Sequence, residues 1–288
     1  MTEARLLEDL RRLGVRPGDV VMVHASLRRL GLSRSLFGDG GAELLLRALD
    51  AAVGPGGTLL MVLGTEYPQD WVNQKPAAER AALLAGTEPF DYRSAPAIGE
   101  VGWLAEAFRR RRGTIVSDNP SGRFGARGAR AEALLSDQPW HDYYGPGSPL
   151  HKLCDMGGLI LRLGANEDTV TALHYAEYLA RLPDKRRTRW DYLLNGSDGP
   201  AHAWIECLDD FSGIADWGGE DYFALILKTY LADGRGQQGL VGRARSELID
   251  AADLVAFGAE WMEANLSGRP AAEGSAAGPF PPGDGVRS

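Results

Sequence analysis

Two side chains three residues apart, His174 and Glu177, sit near the start of the stretch TALHYAEYLARLPDKRR (171–187). On a helix, residues at this spacing share a face, so the imidazole and the carboxylate can enter one pocket. There they form either a proton-transfer pair or a buried histidine with a structural partner, and the local sequence leaves both readings open. A second histidine, His24, ends the apolar run DVVMVHASL, with Ser26 two residues on. Ligands of open α/β sheets collect beyond the carboxyl ends of strands; the plain alternative is a half-buried histidine at a strand end. The turn GDGG (38–41) opens a helix, where backbone N–H groups can approach a phosphate. It matches neither GxxxxGK[ST] nor GxGxxG, which disfavours a nucleoside triphosphate or dinucleotide site. The basic runs Arg109–Arg112 and Lys185–Arg187 read first as helix ends favoured by the dipole, and second as phosphate contacts. Cys154 and Cys207 lie in no metal-ligand spacing and read as core thiols, and no metal is expected.

Hydrophobic patterning predicts the elements that position these groups. A helix over Leu6–Leu13 leads to the buried strand DVVMVHASL, the loop GLSRSLFGDGG, a helix over Ala42–Val53, the turn GPGG and a second buried strand, TLLMVLG. Strand, helix, strand in this order predicts a parallel pair. Residues 65–97 read as irregular, followed by a helix over Gly102–Arg112, the loop SDNPSGRFGARG leading into a strand, and the helix ARAEALL. GGLILRLGA is a third strand, and Asn166, Asp168 and Thr169 are candidate caps for the helix carrying His174. TRWDYLL and HAWIECL read as an antiparallel pair around NGSDG. Helices over Asp221–Ala232 and Arg245–Asn265 close the chain. The expected fold class is α/β: a mixed β-sheet covered by helices in a layered α/β/α arrangement. It is expected to form one domain over residues 1–266. Residues 267–288, rich in Gly, Pro, Ala and Ser, cannot pack a core and read as a disordered tail.

Bulk properties narrow the function classes. The 288 residues are 44% hydrophobic, enough for a substantial core. A formal net charge of −8 argues against a nucleic-acid surface and suits a cationic small molecule. No stretch reaches the roughly 18 apolar residues of a membrane span. The opening MTEARLLEDLRRLG carries charges throughout, unlike a secretory signal, so a reduced, cytoplasmic protein is expected. LDAAVGPGGTLLMV looks like the helix-turn-strand of methyltransferases that use S-adenosylmethionine. The first strand, however, runs into HASLRRLG rather than the Gly-rich loop those enzymes need, which sets that reading aside.

Seven motifs then occur in a telling order: VMVHASLRRLG, GPGGTLLM, FDYRSAP, NPSGRFGARG, YGPGSPL, LILRLGANEDTVTALHYAE and LVGRARSELIDAADLVAFGAEW. Together, from about Arg5 to Trp261, they resemble the aminoglycoside N(3)-acetyltransferases, whose fold is unrelated to that of the large superfamily of small N-acetyltransferases. The resemblance implies transfer of acetyl from acetyl-CoA to the 3-amino group of the 2-deoxystreptamine ring of an aminoglycoside antibiotic, in a ternary complex. It implies that His174, polarised by Glu177, is the base. An aminoglycoside amine is largely protonated near neutral pH and must lose a proton to attack a thioester; an imidazole with a pKa near ~6.5 suits that task. On the donor side it points to His24, Ser26 and Leu27, to the helix start at Gly40 and Gly41, and to the loop carrying Ser117, Asn119, Arg123 and Phe124. This loop departs from the family pattern: Val116 stands where arginine is common, Asn119 where histidine is, and Arg123 where serine is. Arg123 is expected to restore the lost positive charge. On the acceptor side, a polycationic sugar calls for carboxylates and aromatic rings. The candidates are Glu66, Tyr67, Asp142, Asp168, Asp209 and Asp210, with Asp70, Trp140 and Tyr143 behind them. The rival expectations are acyl transfer to another amine and non-catalytic binding of a cationic ligand. The active unit is expected to be a monomer or a homodimer.

Overall fold

The computed structural model describes residues 1–38, 40–196, 199–218 and 221–267, so all but the first residue of the expected tail lies outside the described residues. In chain order the chain forms α1 (Glu3–Leu13), β1 (Val20–Ala25), α2 (Leu27–Leu30), α3 (Arg34–Phe37), α4 (Gly40–Val53) and β2 (Thr58–Val62). Then come α5 (Ala77–Leu84), α6 (Gly102–Arg109), β3 (Ile115–Val116), β4 (Phe124–Gly128), α7 (Ala131–Leu135), α8 (Pro149–Asp155) and β5 (Leu159–Leu163). The last third forms α9 (Leu173–Leu179), β6 (Arg187–Gly196), β7 (Gly199–Leu208), α10 (Tyr222–Ala232), β8 (Gln237–Val241), β9 (Ala244–Asp250) and α11 (Ala251–Leu266).

Seven strands form one mixed sheet in the order β3-β4-β2-β1-β5-β9-β8, and β6 and β7 form a separate antiparallel ribbon. The centre of the sheet is parallel, with β1 pairing β2 on one side and β5 on the other. The runs VVMVHA, TLLMV and LILRL are apolar because both sheet faces are covered. Alternate residues supply two cores. Val21, Val23, Leu59, Met61, Leu161 and Leu163 pack with apolar residues of α1, α4 and α6. Val20, Met22, Leu60 and Ile160 pack with those of α7 to α11 on the other face. The result is the expected three-layer α/β/α fold, and β6 and β7 pair antiparallel as expected.

Some elements differ from the expectation. The predicted helix over Arg245–Asn265 is a strand, β9, up to Asp250. Ala244, Ser246 and Leu248 alternate inward there, and the Asp250 side chain caps α11 by accepting from the Asp253 N–H at 2.9 Å. The predicted helix over Gly102–Arg112 stops at Arg109, and the supposedly irregular 65–97 segment holds α5. Asn166, Asp168 and Thr169 do not cap α9; its N-cap is Ala172, with no side-chain hydrogen bond. The helix gains support at its other end, where the Lys185 ammonium donates to the carbonyls of Glu177 at 2.7 Å and Tyr178 at 3.1 Å. Gly258 of α11 lets α9 approach closely, since a Cβ there would lie 2.6 Å from the Leu173 side chain. These two contacts fix the short helix that carries His174 and Glu177.

Candidate active site

A cleft of about 1200 Å³ opens at the carboxyl ends of β1 and β2 and beside the loop after β5. His24 and Ala25 come from the end of β1, Ser26 and Leu27 from the start of α2, Met61 and Val62 from β2, and His174 and Glu177 from α9. The predicted pair is formed: His174 Nδ1 lies 2.8 Å from Glu177 Oε2. The Glu177 carboxylate is 1% exposed, while the His174 side chain keeps 18% of its surface open. An ionised carboxylate only accepts, so Nδ1 carries the proton and Nε2 keeps a free lone pair. The ring is clamped by Tyr144, stacked at 5.0 Å and 11°, and by Phe223, edge-on at 4.8 Å. The second Glu177 oxygen accepts a hydrogen bond from the Tyr222 hydroxyl.

Burial alone would depress the His174 pKa. The charge and hydrogen bond of Glu177, together with the charges of Asp210 and Asp221, outweigh it, and the ring is held above its ordinary value. Burial pushes the Glu177 carboxyl up, while His174 and Tyr222 pull against it. His24 behaves in the opposite way: burial, and then the Arg162 guanidinium, drive its pKa down to about 3, so it is neutral. Its Nε2 is buried with no hydrogen-bond partner among the described residues.

The cleft lining carries two kinds of side chain. One set is Arg28, Arg29 and the first turn of α6, residues 102–105. The Val101 side chain makes no capping bond there, and a 3-10 turn over Gly99–Val101 leads into the helix, with the Gly102 N–H donating to the Gly99 carbonyl. Arg29 is spent on the Gly164 carbonyl at 3.0 Å and the Asn166 amide oxygen at 2.6 Å. Arg28 beside the start of α6 suits a phosphate-bearing ligand. The second set is Asp168, Asp210, Asp216 and Asp221 with Phe211, Trp217, Tyr222 and Phe223, groups that suit ammonium groups on a ring scaffold. His174 lines the same cleft as both sets.

The profile of the aminoglycoside 3-N-acetyltransferase family matches residues 22–263. Aminoglycoside N(3)-acetyltransferase VII of Streptomyces paromomycinus is 36% identical over 284 residues, spanning 92% of this chain and 93% of its own. The chain belongs to the aminoglycoside 3-N-acetyltransferase family. The crystal structure of aminoglycoside acetyltransferase AAC(3)-Xa superposes with a TM-score of 0.85 at 39% identity, covering 93% of this chain and 94% of that one. AAC-IIIb in its binary complex with CoASH superposes at 0.84 and 39% identity, covering 93% and 98%.

Of the candidate catalytic, donor-side and acceptor-side residues, the cleft gathers His24, Ser26, Leu27, Asp168, His174, Glu177 and Asp210, and Asn166 and Thr169 also line it. The other candidates lie outside its lining. Arg123 is fully buried, and its guanidinium donates to the carbonyls of Gly64, Tyr92, Ala95 and Pro96. That corrects the expectation of a phosphate-binding charge, because the donors are already spent. Asn119, equally buried, donates to the Pro139 and Trp140 carbonyls and accepts from the Ser121 and Gly122 N–H groups. The Ser117 hydroxyl oxygen accepts from the Phe124 N–H at 2.9 Å. Phe124 packs edge-on to Tyr144, which in turn stacks on His174. The 117–124 loop thus supports the pair from behind rather than facing a ligand.

Gly40 and Gly41 start α4 away from the cleft lining, and a Cβ on Gly41 would sit 2.3 Å from the Leu32 carbonyl oxygen. Its glycine is explained by close backbone approach. Glu66 is exposed elsewhere, and Tyr67 is buried, its hydroxyl accepting from the Leu193 N–H. Asp142 pairs with Arg187 at 2.9 Å. Asp209 turns away from its neighbour, accepting from the Phe211 and Ser212 N–H groups. Asp210 faces in, its carboxylate held by the Tyr143 hydroxyl at 2.6 Å. The basic runs are occupied structurally, with Arg109 on Glu106, Arg111 on Glu43 and Asp50, and Arg186 on Asp216. Sequence reasoning passed over Tyr144, Asp221, Tyr222 and Phe223. For the last three, the aromatic and acidic run WGGEDYF (217–223) that leads into α10 was the available signal.

Proposed function

We propose that this chain transfers acetyl from acetyl-CoA to the 3-amino group of the 2-deoxystreptamine ring of an aminoglycoside, with His174 as general base and Glu177 as its orienting carboxylate. The carrying observation is the cleft whose lining gathers an imidazole with its tautomer fixed by a buried carboxylate, two arginines, and a set of acids and aromatic rings. Arg28 beside the start of α6 suits the phosphates of the donor, while His24, Ser26 and Leu27 suit its pantetheine arm. Asp168, Asp210, Asp216 and Asp221 suit the ammonium groups of the acceptor. The neutral 3-amine attacks the thioester carbonyl: the N–C bond forms, the C–S bond breaks, and one N–H proton passes to His174 Nε2 and on to the departing thiolate. A positioned base of this kind contributes about 10²–10⁴-fold. No covalent acyl-enzyme is required, since the thioester is already activated and both cysteines are free thiols, Cys207 buried and Cys154 partly so.

Residues 1–266 act as one domain, supported by two cores that share one sheet. A cytoplasmic location is supported by the unbridged cysteines; no helix among the described residues is long and apolar enough to cross a membrane. The active unit is a monomer or a homodimer in this reading. The test is thiol release from acetyl-CoA by the purified protein with and without an aminoglycoside. Release that requires the aminoglycoside and vanishes in His174→Asn supports the proposal. Aminoglycoside binding without release makes the chain a binder and overturns it.

A further inference from the structure

Between β7 and α10 the chain runs through a loop, residues 209–221, that supplies Asp210, Phe211, Asp216 and Trp217 to the cleft. None of its described residues is helical or in a strand. A structureless loop of this length within a domain is usually functional, and contacts from outside must give it one shape. Arg186, the residue before β6, supplies them. Its backbone N–H donates to the Ile214 carbonyl at 2.8 Å, and its own carbonyl accepts from the Asp209 N–H at 3.0 Å. Its guanidinium donates from Nη1 to the carbonyls of Ser212 at 3.1 Å and Gly213 at 3.0 Å, and from Nη2 to the Asp216 carboxylate. Asp209, Ser212, Gly213, Ile214 and Asp216 are therefore all bonded to one arginine, whose side chain is only 18% exposed and stands outside the cleft lining.

The two residues that this ring of contacts frames are Asp210 and Phe211, and both line the cleft. Asp209 tightens the same tip by accepting from the Phe211 and Ser212 N–H groups, and Ile214 anchors the far limb in the core at 1% exposure. An arginine can only donate. Here it donates to carbonyls and a carboxylate of one loop, and not to His24, Ser26, Leu27 or Arg28 on the donor side.

We propose that Arg186 is a positioning residue for the acceptor: it fixes the 209–216 segment so that Asp210 and Phe211 meet the aminoglycoside in one arrangement. The proposal rests on reading this cleft as an aminoglycoside site. Without Arg186 the segment would have to be ordered when the acceptor binds, and that cost falls on acceptor affinity. Arg186→Met keeps the apolar length of the side chain and deletes its donors. We expect Kd and KM for gentamicin to rise about 10-fold, KM for acetyl-CoA to hold, and kcat at saturation of both substrates to stay within about 3-fold. Arg186→Lys keeps the charge but presents its donors from one nitrogen rather than a planar fork, so the rise in gentamicin Kd should be about 3-fold. This second variant reports even if the methionine variant folds poorly. An arginine that merely supports folding gives a different pattern, with less folded protein, a lower apparent kcat and both KM values unchanged.

Gentamicin Kd is measured by calorimetry, independently of turnover, beside thiol-release kinetics in which each substrate is varied in turn. A gentamicin Kd that stays native in the variants, or KM values for both substrates that rise together, overturns the proposal. If the native protein acetylates gentamicin while the Arg186 variants bind it as tightly as the native protein does, this inference alone fails. If the native protein releases no thiol with acetyl-CoA and aminoglycosides, the acetyl-transfer reading fails whatever Arg186 does to binding.

Discussion

Glu177→Gln puts the greatest strain on the catalytic reading. The carboxylate is 1% exposed and accepts from two donors, His174 Nδ1–H at 2.8 Å and the Tyr222 hydroxyl. An amide of the same shape has one acceptor end and one donor end, so one partner must face an N–H₂ group. If that partner is His174, the ring is driven to the other tautomer and Nε2 loses its lone pair. If it is Tyr222, His174 keeps a neutral acceptor in place of an ionised one. A hydrogen bond to a charged group is worth about 1.5–3 kcal/mol. At about 1.4 kcal/mol per tenfold in rate, its loss in the transition state costs roughly 10- to 100-fold, and the wrong tautomer deepens this. We therefore expect kcat at saturating acetyl-CoA and aminoglycoside to fall about 10²-fold. The pH profile gives an independent check. In the native protein Glu177, with Asp210 and Asp221, outweighs the burial that would otherwise lower the His174 pKa. Turnover should accordingly rise with pH through a value above about 6.5. Without the carboxylate charge, burial dominates and the acid limb should move to lower pH even as the plateau drops. Stopped-flow thiol detection between pH 5 and 9 measures both. A plateau within about 3-fold of the native one, with an unmoved limb, would refute the reasoning.

Three further outcomes follow from particular contacts. Asp210→Asn should raise KM for the aminoglycoside about 10-fold and leave KM for acetyl-CoA alone, since the charge facing the acceptor is lost. Asp209→Asn should leave both KM values alone, because Asp209 serves a turn outside the cleft lining. Arg123→Met strands the carbonyls of Gly64, Tyr92, Ala95 and Pro96. It should cost about 3–5 kcal/mol in denaturant unfolding while the folded fraction binds CoA as tightly as the native protein; weakened CoA binding with native stability would contradict the placement. Gly41→Ala drives a Cβ to 2.3 Å from the Leu32 carbonyl and should lower stability by about 1–3 kcal/mol, read as a drop in Tm.

The sheet was the most legible part of the chain. VVMVHA, TLLMV and LILRL are apolar on both faces, and the helices between them force right-handed parallel crossovers. The His174–Glu177 pair was equally legible, because three-residue spacing on one helix is local information. Long-range information was not available. Nothing near Glu177 in sequence announces that its second oxygen belongs to Tyr222, 45 residues away. Arg123 read as a ligand-binding cation because the loop lacks, at Val116, the arginine that the family pattern carries. Its burial depends on where segment 92–96 crosses it. Asp209 and Asp210 are adjacent acids at the end of a strand, and only the turn made by Asp209 decides which of them faces the cleft. The misread start of the last helix has a similar cause. ARSELID can continue a helical pattern, and only its pairing with β5 and β8 makes it a strand.

The central claim is chemical, so the most direct test is the product. The purified chain is incubated with acetyl-CoA and gentamicin, and the drug is analysed by mass spectrometry and by NMR of the deoxystreptamine ring. The account predicts a mass gain of one acetyl group located on the 3-amino nitrogen, absent in His174→Asn. An unmodified drug, or an acetyl group on another nitrogen, would contradict it.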